Sequence, residues 1–146
     1  MIERNHVEAY RSITTVEHTI EFGGHPLFDV VITTRGSADL AGVKLFGEEL
    51  IADPRFRAGS TILVDHSELD ARPLTASDLS EIGRIASGRT EQLGDTVFAI
   101  VVPNTLTFGL ARQSSILAGP LESAFHIFYS RDDAEAWLRT ERREAR

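Results

Sequence analysis

The sequence predicts an α/β protein: one domain in which a mixed, mostly parallel sheet of about five strands carries about four helices. Short segments rich in β-branched and aromatic residues alternate with segments whose apolar residues recur every three or four positions. The 146 residues contain no repeat and no Pro/Gly/Ser-rich linker, and this length is typical of one domain. Single helices between successive short strands require parallel neighbours joined by right-handed crossovers.

The first two predicted strands form a hairpin. Residues 15–22 alternate apolar and polar side chains over their second half, and a Gly/Pro-rich turn follows at 23–26. Residues 27–34 are β-branched and almost uniformly apolar, which is typical of a strand buried on both faces, and we expect 35–37 to end it. Because a tight turn joins the two strands, the first should be antiparallel to the second and lie at one edge of the sheet.

Helices and strands then alternate to the end of the chain. Ser37 is a candidate N-cap of the first helix, which ends at Asp53 and Pro54 because the residue before proline resists helical angles. The further elements are a strand at 61–65, a helix that starts within 75–78, a strand at 96–102, a helix opened by 103–105 and ended by 119–120, a strand at 124–129 and a helix that starts at Ser130.

The composition excludes several classes of function. Fifteen Lys and Arg residues against 22 Asp and Glu residues leave a net charge of −7. This charge repels nucleic-acid phosphates, so we expect no nucleic-acid partner. The absence of cysteine excludes disulfides, thiol nucleophiles and thiolate metal sites. The five histidines show no pair at metal-ligand spacing, so we expect no metal and no cofactor.

Hydropathy predicts a cytoplasmic protein without membrane insertion. The longest continuous apolar stretch, 97–102, is far shorter than the roughly 20 residues that span a bilayer, and residues 1–6 lack the apolar region of a signal peptide. The single domain is expected to span 1–146, with its core at about 13–140 and short polar ends at 1–12 and 141–146.

The carboxyl ends of the predicted strands bring together residues that could bind a ligand. In open α/β sheets, ligands tend to sit there, beside helix amino termini. Arginine side chains could hold an anion and aromatic ones could form an apolar wall, with Leu110 beside them. The candidate ligand-binding residues are Arg35, Asp65, Phe108, Arg112 and Tyr129. In the alternative interpretation, Asp65 pairs with Arg112 or caps the following helix, and Phe108 belongs to the core.

Several segments resemble the SpoIIAA-like family, small bacterial proteins of the STAS/SEC14 type. The resemblance covers roughly residues 19–139. The segments that carry it are Leu-Val-Asp at 63–65, Ser-Asp-Leu at 77–79, Phe-Ala-Ile-Val-Val-Pro at 98–103, Phe-Gly-Leu-Ala-Arg at 108–112, Ile-Phe at 127–128 and Asp-Ala-Glu-Ala-Trp-Leu at 133–138. The resemblance implies a sheet of four or five strands with helices packed on it, a fold shared with anti-sigma-factor antagonists, anion-transporter cytoplasmic domains and lipid-carrying CRAL-TRIO domains.

The same resemblance implies a candidate phosphorylation site. In the antagonist branch, a serine at the amino end of the helix after the third strand is phosphorylated within an Asp-Ser-Ser-Gly pattern. That pattern is absent here, and the corresponding position falls at 75–78, where Ser77 is the closest serine and Thr75 competes with it. Either residue could instead be an ordinary N-cap.

Three functions remain open. The leading hypothesis is a non-enzymatic module that binds a partner protein or a small anionic or apolar ligand at the strand ends. The alternative is an enzyme in which Asp65 is a general base and Arg35 or Arg112 holds an anionic substrate. A raised Asp65 pKa would favour the enzyme. The third is a lipid carrier, which needs an enclosed cavity that we expect a 146-residue domain can hardly spare.

Apolar residues outside the main helical stripes bear on oligomeric state. Leu45 in the first helix and Ala136 in the last lie outside those stripes. Such residues could face a second subunit, so a homodimer is a candidate assembly.

Overall fold

Five strands form one mixed sheet in which neighbours along the chain are also neighbours in space. The computed structural model describes residues 14–144. The strands are β1 (Val16–Phe22), β2 (Val30–Ser37), β3 (Thr61–Asp70), β4 (Val97–Val101) and β5 (Phe125–Phe128), in the order β1-β2-β3-β4-β5. Strand β1 is antiparallel to β2, and β2 to β5 are parallel. The predicted α/β class with a mixed, mostly parallel sheet is confirmed.

The helices connect consecutive parallel strands or follow the last one. They are α1 (Leu40–Ala52), α2 (Ala76–Ser87), α3 (Thr90–Leu93), α4 (Thr105–Leu117) and α5 (Arg131–Glu144), with a 3₁₀ helix at Gly119–Ala124. The short helix α3 and the 3₁₀ helix were not predicted, because a single turn is too short to show helical periodicity. None of the described helices is long and apolar enough to cross a bilayer.

Strand alternation divides the core between the two faces of the sheet. One face, here called the helix face, packs under α1 to α4 and carries Val30, Ile32, Ile62, Val64 and Phe98. The opposite face, here called the α5 face, is covered by Ala134 and Leu138 of α5 and carries Val31, Leu63, Ala99 and Val101. Both faces of the central strands are therefore buried, which explains their nearly uninterrupted apolar sequence.

Strands β2 and β3 extend further than predicted. Residues 35–37 continue β2 instead of ending it, and β3 continues five residues past Asp65. The two extensions pair with each other, Arg35 with Glu68 and Ser37 with Asp70, after a register shift between Thr33 and Arg35. Each extension satisfies the backbone groups of the other, so neither strand stops where its own sequence turns polar.

Helix α1 is capped by Asp39, and the prediction of Ser37 as its cap is wrong. Asp39 Oδ1 accepts a hydrogen bond from the Gly42 amide at 2.7 Å and another from the Thr14 hydroxyl at 2.6 Å. Ser37 is the last residue of β2, where its backbone belongs to the strand ladder. The predicted end of the helix is confirmed, with Asp53 as its C-cap.

The last helix is longer than predicted. Ser130 caps α5, since its hydroxyl accepts from the Asp133 amide at 3.1 Å. The helix continues to Glu144, so most of the predicted polar end at 141–146 is helical. The predicted polar end at 1–12, with His6, and residues 145–146 lie outside the described residues.

Candidate functional site

Asp65 lies on the α5 face, at the level where pairing between β3 and β4 ends. Its carboxylate is buried and fully engaged. Oδ1 accepts from the Ser67 amide at 2.9 Å and from the Ser67 hydroxyl, and Oδ2 accepts from Arg131 Nε at 2.6 Å. Burial alone raises the pKa of the Asp65 carboxyl, but the bonds from Ser67 and Arg131 outweigh burial and hold it below the ordinary value.

Arg131, and not Arg112, is the ion-pair partner of Asp65. Arg131 is the first residue of α5, which covers the same face of the sheet as Asp65. Arg112 is exposed on α4, which packs on the helix face. The sheet separates the two arginines, so only Arg131 reaches the carboxylate.

Phe108 and Tyr129 are the only two of the five predicted ligand-binding residues that the structure brings into contact within the described chain. Their rings stack with centroids 5.1 Å apart and an interplanar angle of 22°. Tyr129 is 51% exposed and Phe108 is partly buried, so the pair is neither core nor an enclosed wall. Arg35 lies exposed on β2, three strand spacings or about 14 Å from β5. Arg35 therefore does not join Phe108 and Tyr129 in one site.

The two candidate phosphorylation positions differ in structure. Thr75 is the N-cap of α2: its hydroxyl accepts from the Asp78 amide at 3.0 Å, and the Asp78 carboxylate accepts from the Thr75 amide at 3.0 Å. This reciprocal pair is a capping box. Ser77 lies inside the first turn, exposed, and is not the cap.

The two residues proposed for a subunit contact differ in exposure. Leu45 is 1% exposed, so its predicted place on a subunit surface is wrong. It packs inward because α1 is covered on one side by the sheet and approaches β1 closely at Gly42. Ala136 is exposed on α5.

A cavity of about 200 Å³ lies between the helix face and helices α1, α2 and α4. Sequence reasoning missed it. The cavity is partly open to solvent, so it does not bear on the expectation that a domain of this size can hardly spare an enclosed cavity. The residues that line it are largely apolar. They include Ile32, Val64, Phe98 and Ile100 from the sheet, Val43, Phe46, Leu50 and Ile51 from α1, Leu79, Ile82, Ile85 and Ala86 from α2, and Leu110 from α4.

Small residues on α4 account for the empty space. Ala111, Ser114, Ser115 and Ala118 follow one another at positions i, i+3, i+4 and i+7 and all line the cavity. A helix whose inward stripe is this small cannot fill the volume between itself and the sheet. This stripe is the one signal in the sequence from which the cavity could have been predicted.

His66 is a polar group within the cavity wall. Its Nδ1 atom lies 2.6 Å from the Thr34 hydroxyl, and its ring centroid lies 6.0 Å from that of Phe46. Burial lowers the pKa of His66 to about 4, although the charge of Asp65 opposes this shift. The imidazole is therefore neutral at pH 7. Its Nε2 atom has no hydrogen-bond partner among the described residues and can meet a ligand.

Two cations also line the cavity. Lys44 is on α1, and Arg89 follows α2. The Arg89 guanidinium reaches across to α1, where its Nη1 atom lies 2.6 Å from the position that a Cβ at Gly47 would occupy. Burial lowers the pKa of Arg89, and the charge of Glu48 partly opposes that effect.

The hydroxyls that line the cavity are engaged within the protein. The Thr107 hydroxyl donates to Asn104 Oδ1 at 2.9 Å, and Ser114 and Ser115 both donate to the Ala111 carbonyl. No carboxylate lines the cavity within the described chain. Thr34, the hydroxyl beside His66, is 0% exposed and out of reach of a ligand. Among the described residues, none of the hydroxyls that line the cavity donates to a histidine or a carboxylate that could activate it.

No protein-family model matches the chain, and no curated protein matches it significantly.

Proposed function

We propose that this protein is a non-enzymatic binding module that takes up a small, largely apolar molecule between its sheet and helices α1, α2 and α4. The observation that carries the proposal is the apolar cavity of about 200 Å³. Native interiors are close-packed, and an unfilled cavity costs stability through lost dispersion contacts. A ligand of matching shape restores those contacts.

The cavity volume limits the size of the ligand. An apolar cavity of about 150 Å³ stays dry and binds benzene. A cavity of about 200 Å³ therefore suits a body of one or two fused rings, or a short alkyl chain. Such a body is far smaller than a membrane lipid, so the proposal keeps the binding function of the lipid-carrier hypothesis and not its cargo.

The state of Asp65 supports binding over the alternative of an Asp65-dependent enzyme. A general base works best with a pKa near the operating pH. The pKa of Asp65 is instead below its ordinary value, and both its oxygens already accept hydrogen bonds from Ser67 and Arg131. The carboxylate is committed to holding α5 against β3.

The resemblance to small bacterial SpoIIAA-like proteins supports the same proposal. That resemblance implies little about activity, but the fold it implies is shared, more distantly, with lipid-carrying domains. We place the module in the cytoplasm and expect ligand occupancy to alter its interaction with a partner protein. The helices that bound the cavity present their outer surfaces to solvent and are the elements that a ligand would shift.

The test is binding of 2-naphthamide, a neutral two-ring probe, followed by protein NMR. We expect a dissociation constant between about 1 µM and 1 mM, the range that ligand efficiency allows for a molecule of this size. Ala111→Phe should fill the cavity and abolish binding, and Ser114→Leu should weaken it. Ala136→Phe, an exposed alanine on α5, is the matched control and should bind normally.

Two results would contradict the proposal. One is that the wild-type protein binds neither 2-naphthamide nor benzene at millimolar concentration. The other is that folded Ala111→Phe and Ser114→Leu variants bind the probe as tightly as Ala136→Phe does. Thermal unfolding of each variant shows that the fold is retained, so loss of binding reports the cavity.

A further inference from the structure

We infer that the cavity ligand is a small monocarboxylic acid whose apolar body fills the cavity and whose carboxylate binds Arg89, with Lys44 beside it. This inference rests on the proposed function and names the chemical class of its ligand. It starts from the polar side chains that line the cavity, which are Lys44, His66, Arg89, Thr107, Ser114 and Ser115.

The hydroxyls of this set cannot anchor a ligand as donors. Each already donates a hydrogen bond within the protein, Thr107 to Asn104 and both serines to Ala111. The free charged donors are therefore the two cations. A cavity with cationic donors and no lining carboxylate among the described residues favours a ligand that brings negative charge.

Arg89 is the strongest of these donors because its guanidinium is half-buried and lacks a partner. Its side chain makes no hydrogen bond and no ion pair with any residue that the structure describes, and Glu48 acts on it only at longer range. A carboxylate could accept two parallel hydrogen bonds from this guanidinium.

Lys44 reinforces the same side of the cavity. Lys44 and Gly47 are three residues apart on α1, so they lie on one face of that helix, and the Arg89 guanidinium rests against Gly47. Lys44 likewise forms no ion pair in the described chain, and Glu81 is the carboxylate on which its charge acts. The chain as a whole is negative, with a net charge of −7. Two cations that line one cavity, neither in an ion pair within the described chain, therefore make this region more positive than the rest of the protein.

A monoanion fits this environment better than a phosphate. Arg89 lies between the C-terminal end of α2, where the helix dipole is negative, and α3, a single turn whose dipole is small. Phosphate sites usually add helix N-terminal amides to their cations. One guanidinium fork and one ammonium group match a single carboxylate.

The experiment compares 2-naphthoate with 2-naphthamide, which has nearly the same size and shape but no charge. Calorimetry should give a dissociation constant for 2-naphthoate at least about tenfold lower than that for 2-naphthamide, the increment of a charge-assisted hydrogen bond. In Arg89→Met this preference should disappear while 2-naphthamide binds as in the wild type. Arg89→Lys should keep part of it. Arg112→Met, at an exposed arginine outside the cavity, is the matched control and should leave it unchanged.

The outcomes separate this inference from the proposed function. If both probes bind equally well, or if Arg89→Met keeps the full preference for 2-naphthoate, the carboxylate assignment is wrong and the apolar cavity site stands. If neither probe binds the wild-type protein, the cavity is not a ligand site and both proposals fail. Loss of the preference in Arg112→Met as well would overturn the assignment to Arg89.

Discussion

Arg131 Nε donates a hydrogen bond to Asp65 Oδ2 at a distance of 2.6 Å, so one ion pair connects the first residue of α5 to the middle of β3. The two residues are 66 positions apart in the chain. The Asp65 side chain is 9% exposed and that of Arg131 is 42% exposed, so the pair is screened from water on one side only. This contact fixes where α5 begins on the sheet, and it accounts for a buried carboxylate that would otherwise suggest catalysis.

Replacing Arg131 should therefore destabilise the fold. We expect Arg131→Met to lower the free energy of unfolding by about 1 to 2 kcal/mol at pH 7, because Asp65 loses a charged partner and keeps only the bonds from Ser67. The folded pKa of Asp65 is below 3.8, so the stabilisation is present above that value and is lost as pH falls through the folded pKa. Urea unfolding should show the deficit shrinking in acid. An equal deficit for Arg112→Met would contradict this account.

His66 should make stability depend on pH in the opposite direction to a paired histidine. Its pKa is about 4 in the folded protein and 6.5 in an ordinary environment, so the unfolded chain binds the proton first as pH falls. We expect the free energy of unfolding to drop by about 2 kcal/mol between pH 7 and pH 5 from this group alone. Urea unfolding of His66→Gln should lack that drop, whereas His126→Gln should retain it. A flat wild-type profile would contradict the prediction.

Two helical glycines should respond differently to alanine. At Gly83 of α2 a Cβ would lie 2.8 Å from the Leu117 backbone carbon, which cannot move aside, so Gly83→Ala should cost about 1 to 3 kcal/mol. At Gly47 a Cβ would meet only the end of the flexible Arg89 side chain, so Gly47→Ala should be neutral or stabilise by up to about 1 kcal/mol. Denaturant unfolding measures both changes. Equal losses at the two positions would contradict the packing described here.

Alanine substitutions at Thr75 and at Ser77 should have different effects on the free energy of unfolding. Thr75→Ala removes the acceptor for the Asp78 amide and should cost about 1 kcal/mol. Ser77→Ala, two positions later and exposed, should change the free energy of unfolding by less than about 0.5 kcal/mol. Thermal unfolding of the two variants under the same conditions makes the comparison. A larger loss at Ser77 would show that the serine has a structural role which the capping box does not explain.

The sequence predicts the order and type of the main elements because their signals are local. The apolar run of β4 and the cap at Asn104 lie within a few residues of the elements they define. Strand ends are different. The extension of β2 past Thr34 depends on pairing with Glu68, Leu69 and Asp70, and no local pattern in β2 records that partner.

The site depends even more on contacts that are distant in sequence. The sequence suggested Arg112 as the partner of Asp65, but the face of the sheet on which each helix packs makes Arg131 the partner instead. The cavity is a property of volumes summed over three helices and a sheet. The stripe of small residues around Ala111 and Ser115 leaves space between α4 and the sheet, and only the assembled fold shows that no other described side chain fills it.

The order of the strands also bears on how the chain folds. Each parallel strand pairs with the strand made immediately before it, so loop closure involves only the intervening helix and the entropic cost of each step stays small. During synthesis the sheet can grow one strand at a time, each on a template that already exists. Helix α5 comes last, so Val31, Leu63 and Ala99 stay uncovered until the chain is nearly complete. That interval is when the protein is most exposed to aggregation.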